Sequence, residues 1–135
     1  AVDGFKDAAR ELTDGRGVDV VLDPVGGDRF TDSLRSLARE GRVLVLGFAG
    51  GEIPTVKVNR LLLGNTSVVG VAWGEYVMAT PGYLQEQWAR VLPHIESGAI
   101  APLVGAVYPL DGAADAVAEL DARRATGTLV LEPRR

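Results

Sequence analysis

The sequence contains no cysteine and a single histidine, His94. The first absence excludes a disulfide framework, a thiolate zinc site and a cysteine nucleophile. The second excludes a multi-histidine metal site. No apolar run approaches the ~18 residues that a membrane-spanning helix needs. The dinucleotide fingerprint G-x-G-x-x-G, the phosphate loop G-x-x-x-x-G-K-[ST] and the nucleophile elbow G-x-S-x-G are all missing. Positive charge is also short. Lysine and arginine number 14 against 18 aspartates and glutamates, for a net charge of -4. With no basic run, the balance argues against nucleic acid as a partner. Asp3, Lys6 and Asp7 do not read as a signal peptide. The lack of cysteine fits a cytoplasmic location.

What is present suits one α/β domain. The 135 residues are 47% hydrophobic and 24% charged, an ordinary globular balance. Glycine, at 17 residues, is about twice its usual share of ~7%. Many tight turns or close backbone approaches are therefore expected. The chain opens on Ala1 and reads at once as the middle of a domain, so a longer protein is expected.

Phe5, Ala8, Ala9 and Leu12 share one helix face. Asp19 to Asp23 is short, apolar and rich in valine, which predicts a buried strand that Pro24 stops. Asp28 is placed to cap a following helix, with Phe30, Leu34, Leu37 and Ala38 inward and Gly41 as its terminal cap. Arg42 to Gly47 is a second buried strand. Two such strands joined by a crossover helix imply a parallel pair with both faces covered. Val56 and Val58 mark a short extended piece, Arg60 to Gly64 a helical turn or two, and Ser67 to Ala72 a third strand. Leu84, Trp88, Val91, Leu92 and Ile95 share a helix face, in which Pro93 should force a kink or an end near Leu92. Leu103 to Tyr108 reads as a strand. Asp111 caps a helix with Ala113, Ala116, Val117 and Leu120 inward, and Thr128 to Leu131 is a last strand.

Ligands of open parallel sheets bind at the carboxyl ends of the strands. Those ends carry Pro24-Val25-Gly26-Gly27, Gly47-Phe48-Ala49-Gly50-Gly51 and Ala72-Trp73-Gly74. Glycines there either make turns or admit a large flat ligand to the backbone, whose free N–H groups can bond phosphate, ribose or amide. Asp23 can hold a ribose, act as a base, or cap the turn before Pro24. Trp73 can stack on a planar ring or serve as a packing aromatic. Tyr76, Tyr83 and Tyr108 are proton donors or half-buried packing residues. His94 reads as a surface or capping residue. Arg123-Arg124 and Arg134-Arg135 read as a solvated helix end and a solvated tail.

Taken in order, Leu12 through Gly27, Gly41-Arg42-Val43 through Ala49, Leu61-Leu62-Leu63, Gly70 through Gly74, Pro102 through Gly105, Tyr108-Pro109-Leu110 and Gly127 through Leu131 resemble a known family. It is that of the zinc-independent medium-chain dehydrogenases/reductases, in the NADPH:quinone oxidoreductase (zeta-crystallin-like) branch. The resemblance covers nearly the whole chain, and the succession of motifs carries it rather than any one of them. It implies the carboxyl-terminal part of a two-domain protein of ~300 residues or more. Residues 1–100 would be the second half of a Rossmann-type, doubly wound parallel sheet. Residues 101–135 (strand, helix, strand) would return to a GroES-like catalytic domain lying upstream.

The implied reaction is hydride transfer from NADPH to a quinone or activated alkene, without zinc. Pro24, Val25 and Gly26 would line the ribose and adenine side of the cofactor. Gly47, Phe48 and Ala49 would border the pyrophosphate and nicotinamide ribose, and Ala72, Trp73 and Gly74 the nicotinamide amide. Thr128 stands where such proteins often carry a lysine or arginine that reaches the cofactor. Val2-Asp3-Gly4-Phe5 lacks the tyrosine often found near the adenosine 2′-phosphate, which keeps NADH open beside NADPH. The resemblance supplies no catalytic acid in this stretch. It places a homodimer edge along the strand near Ser67–Ala72. The strand at 19–23, in the order 3-2-1-4-5-6, would present an open edge that also favours association. Two other readings remain: a methyltransferase-like domain using S-adenosylmethionine, and a non-enzymatic α/β oligomerisation module.

Overall fold

The structure, a computed structural model, describes residues 4–133. Val2, Asp3 and the Arg134-Arg135 tail lie outside the described residues. Internal contacts divide the chain between Thr80 and Pro81 into two compact units.

The first unit is built on three parallel strands in the order β1 (Val18–Asp23), β2 (Leu37–Val45) and β3 (Ser67–Gly70). Val21 pairs with Val43 and Val43 with Val68; Asp23 pairs with Val45 and Val45 with Gly70. The strands therefore stop level, and their carboxyl ends make a single edge. Pro24 follows β1 at once and has no N–H with which to extend the ladder. Helices α1 (Phe5–Glu11), α2 (Phe30–Ser36) and α3 (Asn59–Gly64) border one groove, through Arg10, Leu34 and Arg60 among others, so they stand on the same side of the sheet. The core is Phe30, Leu37 and Val43, with Val18, Val21, Leu34, Val45, Val56 and Val68 packed on it. Burial of side chains such as Phe30 and Val43 contributes about 1.5–3 kcal/mol each. The Arg10 guanidinium ties α1 to the end of α2 by donating to the Arg35 carbonyl at 2.9 and 3.2 Å.

Several elements depart from the sequence pattern. The helix α2 ends at Ser36, so Leu37 and Ala38 lie in β2 and not on a helix face. Between the pairs Val18–Leu37 and Val20–Arg42 the second strand bulges, and Glu40 takes a left-handed conformation with φ 65°. Gly41 is accordingly no helix cap. Its backbone runs so close to the facing chain that a Cβ would sit 2.9 Å from the Ala38 oxygen and 3.1 Å from that of Val18. Asp28 forms no side-chain cap and lies in a short 3-10 turn, Gly27–Arg29. The sheet is not covered on both faces among the described residues: Val20 and Leu22 of β1 are exposed, Leu22 by 65%. Leu12 falls just beyond α1 and is exposed. Val56 reaches the core from a segment without strand pairing, while Val58 is exposed. A helix absent from the sequence reading, α4 (Trp73–Ala79), follows β3.

The second unit comprises α5 (Tyr83–Glu96), β4 (Val104–Pro109), α6 (Ala113–Asp121) and β5 (Thr128–Glu132). The two strands are parallel and α6 connects them. The helix α5 runs through Pro93 rather than ending there. Pro93 stands in its last turn, so only three residues, His94 to Glu96, follow the proline within the helix. Within the described residues, Leu84, Trp88 and Ile95 of its apolar face are exposed. The helix α6 has no side-chain cap from Asp111; Ala116 is buried, but Val117 and Leu120 are exposed. Tyr108 of β4 donates a short hydrogen bond to the Glu119 carboxylate of α6, pinning helix to strand. That bond, followed by partial desolvation and the charges of Glu119 and Asp115, raises the Tyr108 hydroxyl above its ordinary value, with Arg124 opposing. No described helix is long and apolar enough to cross a membrane.

Candidate functional site

The level ends of β1, β2 and β3 determine where the predicted site residues fall. The loops after β1 and β2 are bonded to one another. Leu46 N–H donates to the Asp23 carbonyl at 2.9 Å, Ala49 to Pro24 at 3.0 Å, and Gly50 to Val25 at 2.8 Å. Gly27 N–H reaches the Glu52 carbonyl at 3.0 Å. After β3, Val71 N–H still donates to the Val45 carbonyl at 2.9 Å. Pro24, Val25, Gly26, Gly47, Phe48, Ala49, Ala72, Trp73 and Gly74 therefore share one edge. Thr128 opens β5 in the second unit, where its N–H donates to the Leu103 carbonyl at 2.8 Å.

The turn after β1 is shaped by one carboxylate. Asp23 is the last residue of β1 and is buried. Its Oδ1 accepts from the N–H groups of Val25 at 3.0 Å and Gly26 at 2.8 Å. Its Oδ2 accepts from the Ser33 hydroxyl of α2 at 3.1 Å. Of the roles open to Asp23 in the sequence, turn cap is the one these bonds fill. They also occupy two of the N–H groups expected to be free for a ligand. Ser33 carried no signal in the sequence, because its partner lies ten positions away. The Asp-Pro-x-Gly pattern could have flagged Asp23, since Asp before Pro favours a turn built on its own side chain.

The glycines of the edge divide by what requires them. Gly26 has φ 67°, and a Cβ there would meet Phe48 Cδ1 at 2.8 Å and the Glu52 oxygen at 3.0 Å. The chain itself needs that glycine. Gly47 and Gly74 have ordinary backbone angles. A Cβ at Gly47 would meet only the Pro24 oxygen, at 3.6 Å, and at Gly74 nothing within 4 Å. Packing does not explain those two. Among the described residues, the N–H groups of Gly47, Phe48 and Ala72 make no hydrogen bond. Side chains of Val25, Phe48 and Trp73 stand partly exposed beside them. Bare backbone donors beside apolar surface can receive a large ligand that is flat in part and polar in part.

An open groove of about 380 Å³ adjoins the first loop, lined by Val21, Leu22, Pro24 and Val25 with Asp23, Arg29 and Ser33. No group of three or more histidine, cysteine, aspartate or glutamate residues among the described residues could hold a metal ion. His94 lies in the last turn of α5, and its carbonyl accepts from Ser97 and Ile100.

Comparison with known proteins adds a second line. The family model described as zinc-binding dehydrogenase matches residues 2–131. Quinone oxidoreductase-like protein 2 of Rattus norvegicus is 44% identical over 127 residues, which is 94% of this chain and 36% of that protein. The crystal structure of a Pseudomonas syringae pv. Tomato DC3000 quinone oxidoreductase superposes with a TM-score of 0.80 at 32% identity, over 98% of this chain and 41% of the other. A mycobacterial protein solved in complex with NADPH gives a TM-score of 0.80 at 36% identity, over 96% and 40%. The chain thus spans well under half the length of each.

Proposed function

Because this chain belongs to the zinc-binding dehydrogenase family, and resembles its quinone oxidoreductase-like members, we propose that it supplies part of the NADPH site of a quinone or alkene reductase. The observation that carries the reading is the shared edge of β1, β2 and β3, with open space at Gly47 and Gly74 and unbonded N–H groups at Gly47, Phe48 and Ala72. A dinucleotide has both the flat rings and the polar linkage that such an edge accommodates. Bound nicotinamide supplies the hydride. This chain's residues bind and orient. Pro24, Val25 and Gly26 would take the adenine and ribose side, Gly47, Phe48 and Ala49 the pyrophosphate and nicotinamide ribose, and Ala72, Trp73 and Gly74 the amide. Thr128, the first residue of β5, is the remaining cofactor residue of the proposal. No proton donor for the substrate is assigned to this chain.

On this reading residues 1–100 complete a nucleotide-binding domain and residues 101–135 return to a catalytic domain. The chain alone is inactive, since the residues that choose the quinone or enone lie upstream. NADPH is the expected cofactor, with NADH as the competitor. The member proposed is a zinc-free one. The exposed outer edge of β3 supports a homodimer joined there. A cytoplasmic location completes the proposal. The direct test is a fluorescence titration of the intact protein carrying this chain with NADPH, NADH and S-adenosylmethionine, followed by quinone and enone turnover. Saturable NADPH binding with turnover is expected. Binding of S-adenosylmethionine instead would sink the reading.

A further inference from the structure

We propose that Asp23, through Ser33, is the positioning residue of the cofactor-facing turn Pro24–Gly26; this rests on the reading just given. The turn's backbone is held from two sides. Its N–H groups at Val25 and Gly26 point back to Asp23 Oδ1, at 3.0 and 2.8 Å. Its carbonyls at Pro24 and Val25 point across to the N–H groups of Ala49 and Gly50, at 3.0 and 2.8 Å. Both peptide planes are thereby set, and what remains outward is the apolar surface of Pro24 and Val25. Asp23 is itself oriented by Ser33, whose hydroxyl, 5% exposed as a residue, donates to the second carboxylate oxygen. A carboxylate that accepts three hydrogen bonds and is 6% exposed has little capacity left for a ligand. It acts on the cofactor only through the shape of the turn.

Loss of the carboxylate frees the N–H groups of Val25 and Gly26, the second of them buried, and Gly26, at φ 67° and ψ -145°, is then free to rotate. Asp23→Ala in the intact protein should raise the Kd for NADPH about tenfold and speed amide exchange at Val25 and Gly26. The KM for the second substrate should not move. Asp23→Asn keeps an oxygen for the two N–H groups and an amide that the Ser33 hydroxyl can accept from, so it should bind NADPH like the unsubstituted protein. Ser33→Ala should raise the Kd by about two- to fivefold. A folded Asp23→Ala with unchanged NADPH Kd overturns the proposal while leaving the cofactor reading intact. Should Asp23→Ala not fold, Ser33→Ala decides in the same way. Failure of the unsubstituted protein to bind NADPH overturns the cofactor reading, and the positioning role with it.

Discussion

Gly26 and Gly47 sit on the same edge and should fail differently when changed to alanine. At Gly26 the added methyl meets Phe48 and Glu52 and a backbone angle that L residues avoid, so stability should fall by about 1–3 kcal/mol. At Gly47 the nearest atom is at ordinary contact distance, so the denaturation midpoint should hold while NADPH affinity drops. Paired denaturant melts and cofactor titrations separate the two. Tyr108 makes a different prediction. Its hydroxyl titrates above the ordinary value because it donates to Glu119. The bond's contribution is therefore complete below pH ~10, the unfolded value, and is lost as pH climbs through the folded one. Denaturation between pH ~8 and ~11 should show that loss, and Tyr108→Phe should not. Of these residues, the edge glycines were legible as candidates because they close apolar runs. Which of them the chain itself needs depends on distances such as that from Gly26 to Phe48, which no spacing reveals.

At the scale of elements, strands were the most legible. Val18–Asp23 and Ser67–Gly70 are β-branched runs closed by proline or glycine, and each is a strand. The end of α2 was not legible. Leu37 and Ala38 continue the spacing of Phe30 and Leu34, so periodicity alone prolongs the helix. Leu37 turns extended, with ψ 143°, and pairs with Val18 instead. The helix α4 begins on Ala72 without a capping side chain, so nothing in its opening residues announces it. In α5 and α6 the apolar spacing tells which residues share a face, not whether anything described covers it, and Trp88 and Val117 stand exposed. Pro93 gives the element-scale prediction. Pro93→Ala restores an N–H within α5, so the helix should gain up to ~3 kcal/mol. Amide exchange along 83–96 would register the gain as slower opening; faster opening would contradict it.

For the whole molecule, the α/β fold class with parallel strands was legible in the sequence, while the division into two units between Thr80 and Pro81 was not. The proposed β3 homodimer is tested at this scale. Val71 N–H points toward β2, so by strand alternation the Gly70 N–H points away. Gly70→Pro should remove an outward donor without touching the β2 ladder. Sedimentation should then show monomer in place of dimer; a dimer unmoved by the change would place the interface elsewhere.

In the first unit, chain order and sheet order coincide: β1, β2 and β3 are neighbours in both. Each strand therefore meets a partner that has already left the ribosome, separated from it by a short crossover. Loop closure is cheap at each addition, and the sheet can grow vectorially during synthesis, one edge at a time.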